Sequence, residues 1–152
     1  MLAACALWVH GEPPLVMHLD CTWSDYPHVV ALFRRGACWG AISKTNGVVL
    51  RYRDPIYRSL RELALSYFHE YSDRRGDKTL RSYSPAFDMR RIETRLWVAN
   101  GNDCQEVEDR LAGLRHYRLI SVRQERALAR RDPFERRASK QVQYPAPQPR
   151  RG

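Results

Sequence analysis

The stretch His28-Val29-Val30-Ala31-Leu32-Phe33-Arg34-Arg35-Gly36-Ala37-Cys38-Trp39-Gly40-Ala41-Ile42-Ser43 decides the fold. Two apolar runs flank Arg34-Arg35-Gly36, and a run, turn and run of these lengths reads as a β-hairpin. Upstream, Gly11-Glu12-Pro13-Pro14 breaks the chain before a further apolar run at 15–19, which reads as a short buried strand. Residues 20–27 are polar and turn-rich. Downstream, Lys44-Thr45-Asn46-Gly47 carries a tight-turn dipeptide and leads to 48–52, read as a third strand. Short consecutive strands joined by tight turns make an antiparallel sheet.

Helices flank this sheet on both sides in sequence. Residues 2–10 are helix-forming and almost wholly apolar, and Gly11 with Pro13-Pro14 ends the run. A helix apolar on all sides is a buried one. No Ser, Thr, Asp or Asn precedes it, so the reading frame is expected to open inside an element that was once longer. Asp54-Pro55 introduces the clearest helix. Ser59 with Glu62 forms a capping box, and Leu60, Leu63, Ala64, Tyr67, Phe68 and Tyr71 follow as one apolar stripe. His69 falls off that stripe and reads as a surface residue.

Residues 73–102 look like loop, with Trp97 as an anchor to the core. Asp103 with Glu106 is expected to cap a short helix reaching Leu114, and Ser121 another reaching about Arg131. After Asp132 the composition turns to Pro, Gln, Arg and Ser. Two regions follow: one α+β domain over 1–131 and a disordered basic tail over 132–152.

Composition narrows the function. A chain of 152 residues, 43% apolar and 11% aromatic, is long enough for one domain with a real core. No apolar run approaches the roughly 18–20 residues that span a bilayer, so no membrane partner is expected. Residues 2–9 are too short and lack the basic leader of a signal peptide, so the expected location is cytoplasmic. Cys5, Cys21, Cys38 and Cys104 show no paired spacing, which speaks against a disulfide framework or a zinc site. The net charge is +9, yet nine basic and three acidic residues lie between Arg123 and Arg151. Most of the surplus therefore lies in that C-terminal stretch, and nucleic acid is not expected as a specific partner. His10, His18 and His28 could meet at a metal, but nothing in their spacing fixes a geometry.

A buried apolar helix, a Gly-x-Pro break, a strand and a hairpin led by histidine suit cysteine chemistry. A thiolate is stabilised at a helix N-terminus, a histidine at a strand start moves the proton, and a carboxylate or amide orients the ring. Gly11-x-Pro13, the His28–Phe33 run and the Trp39 hairpin resemble the transglutaminase-like superfamily, which has a papain-like thiol fold. Residues 38–46, 50–55 and 61–71 are similar to an uncharacterised bacterial branch of that superfamily, and the resemblance covers about residues 2–120. It implies His28 as the catalytic histidine, with Trp39 opening the next strand. The third residue of the family, usually Asp, falls near Ser43, and Asn46 is the closest side chain able to orient an imidazole. It implies no cofactor and no metal.

The nucleophile the resemblance implies falls a few residues before Met1. The chain is therefore expected to be a transglutaminase-like domain lacking its N-terminal part, inactive as given. Its ancestral chemistry would be acyl transfer or amide hydrolysis on a protein or peptide. Cys5, Cys21 and Cys38 remain alternative thiols. The competing reading is a non-catalytic binding or scaffold module whose basic tail contacts an acidic partner.

Overall fold

The computed structural model describes residues 1–99 and 104–145. It is an α+β fold built on one antiparallel sheet. The strands are β1 (Leu15–Cys21), β2 (His28–Arg35), β3 (Cys38–Ile42), β4 (Arg53–Tyr57), β5 (Leu80–Tyr83), β6 (Phe87–Asp88) and β7 (Tyr117–Arg118). Their order is β4-β3-β2-β1-β5-β7, with β6 sharing the β5 edge of β1. The expected hairpin is β2–β3, in register from Arg35 opposite Cys38 to Ala31 opposite Ile42.

Central strand β1 is buried on both faces, so Val16, Met17, His18 and Leu19 are enclosed one after another without an exposed alternate. Met17 and Leu19 point to one face, where they meet Val30, Leu32 and Ala41 under helix α2 (Leu60–Ser66). Val16 points to the other, where Ala31 and Phe87 pack with Ala4 of helix α1 (Leu2–Val9) and with Val107 and Leu111 of helix α3 (Gln105–Ala112). The α2 stripe is core: Leu63, Ala64, Tyr67, Phe68 and Tyr71 are buried, and His69 is exposed as its position implies. Trp97 stacks on Trp8 at 5.6 Å, pinning the 89–98 turns to α1.

Several expectations need correction. Helix α1 is not buried all round, because only Ala4 is fully enclosed while Leu2 and Val9 are 86% and 79% exposed. The third strand is not 48–52 but β4, which contains Pro55. A proline lacks the ladder donor and is tolerated because β4 is an edge strand. Residues 48–52 are diverted instead by side chains that bond nearby backbone: the Thr45 hydroxyl donates to the Val49 carbonyl at 2.7 Å, and the Ser43 hydroxyl to the Leu50 carbonyl at 2.7 Å. Helix α2 stops at Ser66, whose hydroxyl turns back onto the Leu63 carbonyl at 2.7 Å, although the stripe continues through turns to Tyr71. The span 73–99 is also not all loop, since β5 and β6 lie within it.

The region after Asp132 is ordered further than its composition suggests. Asp132 caps helix α5 (Pro133–Ala138) through the Phe134 and Glu135 amides, and Glu135 returns a bond to Asp132. Ser121 does the same for the short helix α4 (Val122–Arg126), which ends before the expected Arg131. Residues 131–144 lie on the body: Arg131 N–H donates to Gly76 O at 2.9 Å, Arg136 reaches Arg74 O at 2.9 Å, and Val142 pairs with Gly47. The 146–152 end of the expected tail, and Asp103, lie outside the described residues.

Asn46 fastens that segment. Its amide donates to Tyr144 O at 2.9 Å and its oxygen accepts Tyr144 N–H at 2.8 Å. Asn46→Ala is expected to cost no more than about 1 kcal/mol in global stability, because both bonds are solvent-exposed. It should nonetheless make residues 139–145 markedly faster to nick in limited proteolysis. Unchanged cleavage there would show that the segment is held by other contacts.

Candidate functional site

His28 opens β2 and pairs with Leu19 in the ladder, so its side chain takes the α2 face of the sheet. Ser43 follows β3 two residues beyond Ala41, which shares that face, and this brings its hydroxyl to the ring. The His28 Nε2 to Ser43 Oγ distance is 2.7 Å. Ser43 has one hydroxyl proton, and the Leu50 carbonyl, which can only accept, takes it at 2.7 Å. The Ser43 oxygen must therefore accept from His28, placing the ring proton on Nε2. In the neutral ring Nδ1 is then a lone pair, and it has no hydrogen-bond partner among the described residues. Burial holds the basicity of His28 below the ordinary imidazole value, and the positive Met1 α-amino group adds to the effect.

Of the two candidates for orienting His28, Ser43 makes the contact. Asn46 does not, because both ends of its amide are spent on Tyr144.

Beside His28 lies a cavity of about 470 Å³ whose walls include Met1, His18, Cys104, Val107 and Leu111. Helix α1 thus packs mainly on the opposite face of the sheet, yet Met1, the residue just before it, reaches the cavity that His28 also lines. His18 occupies the α1 face through its pairing with Val29, and it is 4% exposed. His116 donates Nδ1–H to the Leu114 carbonyl at 2.8 Å, which leaves Nε2 to accept His18 Nδ1–H at 2.8 Å. The tautomer of His18 is fixed in turn, with its lone pair on Nε2. Burial lowers the basicity of His18, His116 lowers it further, and Asp20 opposes them weakly.

The cysteines fall in different places. Cys5 lies on α1 against the core that holds Val16, and Cys38 sits at the far end of the hairpin from His28, opposite Arg35. The Cys21 thiol is pushed up to about 11 by burial, with Asp25 and Asp20 adding to the shift, so it is a poor source of thiolate. Cys104 precedes α3 and is the cysteine that lines the His28 cavity. Its place on that wall has no local signal in the sequence, where Asp103 is the expected helix cap. Among the described residues no group of three or more His, Cys, Asp and Glu side chains could hold a metal ion, and His10 is exposed after α1.

No family model matches the sequence, and no curated protein matches it. No helix among the described residues is long and apolar enough to cross a membrane.

The two buried histidines make stability depend on pH. In the unfolded chain each takes up a proton near pH 6.5; in the folded chain each does so only at lower pH. The unfolded state binds more protons in that window. Stability is therefore fully present above about pH 6.5 and falls as pH drops toward the folded values, by up to about 1.4 kcal/mol per pH unit for each histidine. Urea midpoints at pH 7.5 and 5.5 should differ in that direction, and less so in His18→Phe. Equal midpoints would contradict the burial of both rings as neutral species.

Proposed function

We propose that the chain is a transglutaminase-like domain in which His28 is the proton-transfer residue and Ser43 orients it. The reaction is cysteine-dependent acyl transfer or amide hydrolysis on a protein or peptide substrate. The observation that carries this reading is the bond series His28 Nε2–H to Ser43 to the Leu50 carbonyl, which leaves Nδ1 as the free base. A base for a thiol needs a ring held in one tautomer, and here two acceptors in series hold it.

The nucleophile in this reading precedes Met1. Met1 lines the His28 cavity, so residues that continue the chain upstream start from that cavity's wall. In this reading the nucleophile is not Cys5, which packs in the core, nor Cys21, whose thiol is pushed up to about 11, nor Cys38, at the far end of the hairpin. The alkylation test below separates Cys104, which lines the cavity, from an upstream thiol. Its four unpaired cysteines suit a reducing, cytoplasmic setting.

The test is the rate at which iodoacetamide alkylates each of the four cysteines at pH 6, followed by mass spectrometry. Slow alkylation of all four, unchanged in His28→Ala, is the expected result. A single fast cysteine that slows tenfold or more in His28→Ala would place the nucleophile inside this chain and overturn the upstream assignment.

A further inference from the structure

Leu50 has φ +55°, in the left-handed region, and is the one non-glycine residue with positive φ among the described residues. An L-residue stays there only when its surroundings hold it. This is also the residue whose carbonyl fixes Ser43, so whatever holds Leu50 reaches His28.

Glu70 is the group that holds it. One carboxylate oxygen accepts Leu50 N–H at 2.8 Å, and the other accepts from Arg53 at 2.6 Å. Arg53 is fixed in turn. Its guanidinium donates to Ser66 Oγ at 3.0 Å and to the Ser66 carbonyl at 3.2 Å, and it lies over the Tyr67 ring at 4.2 Å. Tyr67 donates its hydroxyl to the Arg51 carbonyl at 3.1 Å, on the next peptide along from Leu50. Glu70 and Leu50 share a second cavity of about 260 Å³ with His28, but no hydrogen bond joins Glu70 to the ring.

We infer that Glu70 is a positioning residue for His28, acting through the left-handed Leu50 peptide and the Ser43 hydroxyl. It rests on the reading of His28 as the proton-transfer residue. With Glu70 in place, the Leu50 carbonyl faces Ser43, Ser43 has no free proton to offer, and the ring keeps its proton on Nε2. Without Glu70, the Leu50 N–H loses its acceptor and the peptide relaxes toward negative φ. The carbonyl then turns from Ser43, the hydroxyl proton is free, and the ring is no longer held in one tautomer.

The test is the solvent exchange rate of the His28 Nε2–H proton, read by NMR on ¹⁵N-histidine-labelled chain at pH 7.5. Glu70→Ala is expected to raise that rate tenfold or more. Adding Leu50→Gly, which adopts positive φ without support, should restore protection. A folded Glu70→Ala with exchange within twofold of the parent overturns the inference. If Glu70→Ala does not fold, Glu70→Asp carries the test, since its carboxylate is one methylene short of Leu50 N–H. The tenfold rise is expected there too, and an unchanged rate overturns the inference. Ser43→Ala separates the two claims: unchanged protection in that variant removes the His28–Ser43 pair and the proposed function with it, whatever Glu70 does.

Discussion

In a chain extended upstream so that it carries the thiol, His28→Ala is expected to slow acyl transfer by about 10²- to 10⁴-fold, the usual contribution of a positioned proton-transfer group. The loss should appear in kcat and in kcat/KM together, because the ring contributes by moving a proton rather than by binding the substrate. Ser43→Ala is expected to cost less, since it removes the restraint on the ring and leaves the ring itself. The rate should also fall on acidification, as protonation fills the Nδ1 lone pair. Burial pushes that fall to lower pH than a free imidazole would show, while the Met1 α-amino charge, converted to a peptide amide in the extended chain, no longer contributes. Single-turnover acylation of a peptide ester or amide, measured against pH for the three chains, reads all of these. Equal rates for the parent and His28→Ala would mean that the ring is only a sheet-end packing residue.

Gly40→Ala is expected to destabilise the fold by about 1–3 kcal/mol, the range for forcing an added methyl into a filled core. Gly40 lies in β3 opposite Phe33, at the irregular step of the β3–β4 ladder between Trp39 and Ala41. A Cβ there would stand 2.5 Å and 2.8 Å from two Phe33 ring atoms and 2.9 Å from the Arg53 carbonyl oxygen. The ring has little room to yield, being buried and stacked on Tyr52 at 5.8 Å. The carbonyl belongs to the backbone of β4, so relief requires moving the strand. That movement would also disturb Arg53, whose guanidinium ties β4 to α2 through Ser66 and Glu70. At about 2–4 °C per kcal/mol for a chain of this size, a lowered melting temperature and urea midpoint should be plain. An unchanged midpoint would show that β3 and β4 sit further apart than the ladder implies.

The β1–β3 part of the fold was legible because its signals are local. Apolar runs bounded by Gly11-Glu12-Pro13-Pro14 and by Arg34-Arg35-Gly36 leave few alternatives to a hairpin. The α2 stripe was legible for the same reason, and its early stop was not, because one serine hydroxyl bonding back to Leu63 decides it. Strand β4 was missed because Pro55 reads as a helix start unless the strand is known to be an edge. Strands β5 and β6 are short and borrow their order from β1, so no period could build up within them. Helix α5 carried a readable signature in Asp132-Pro133-x-Glu135, which the basic, proline-rich surroundings outweighed.

The site divides in the same way. Pairing of His28 with a residue near the end of β3 follows from hairpin register, which brings Ser43 to the ring on the shared face. Asn46, three residues beyond Ser43, was a candidate for its amide rather than its position, and the Tyr144 segment that captures it lies 98 residues away. The His18–His116 contact spans the same separation and left no trace in local pattern. The positive φ of Leu50 was equally invisible, because nothing about a leucine between Val49 and Arg51 announces it.

In the proposed function His28 is poised to activate a thiol brought to its cavity beside Met1. That role is tested most directly by placing a single cysteine at each successive position upstream of Met1, with the four native cysteines replaced by serine or alanine. The alkylation rate of each is then measured against pH, with and without His28. One position is expected whose thiol reacts at pH 5.5 at least tenfold faster than its neighbours and loses that advantage in His28→Ala. Thiols that all titrate near the ordinary value of about 8.5, indifferent to His28, would contradict it.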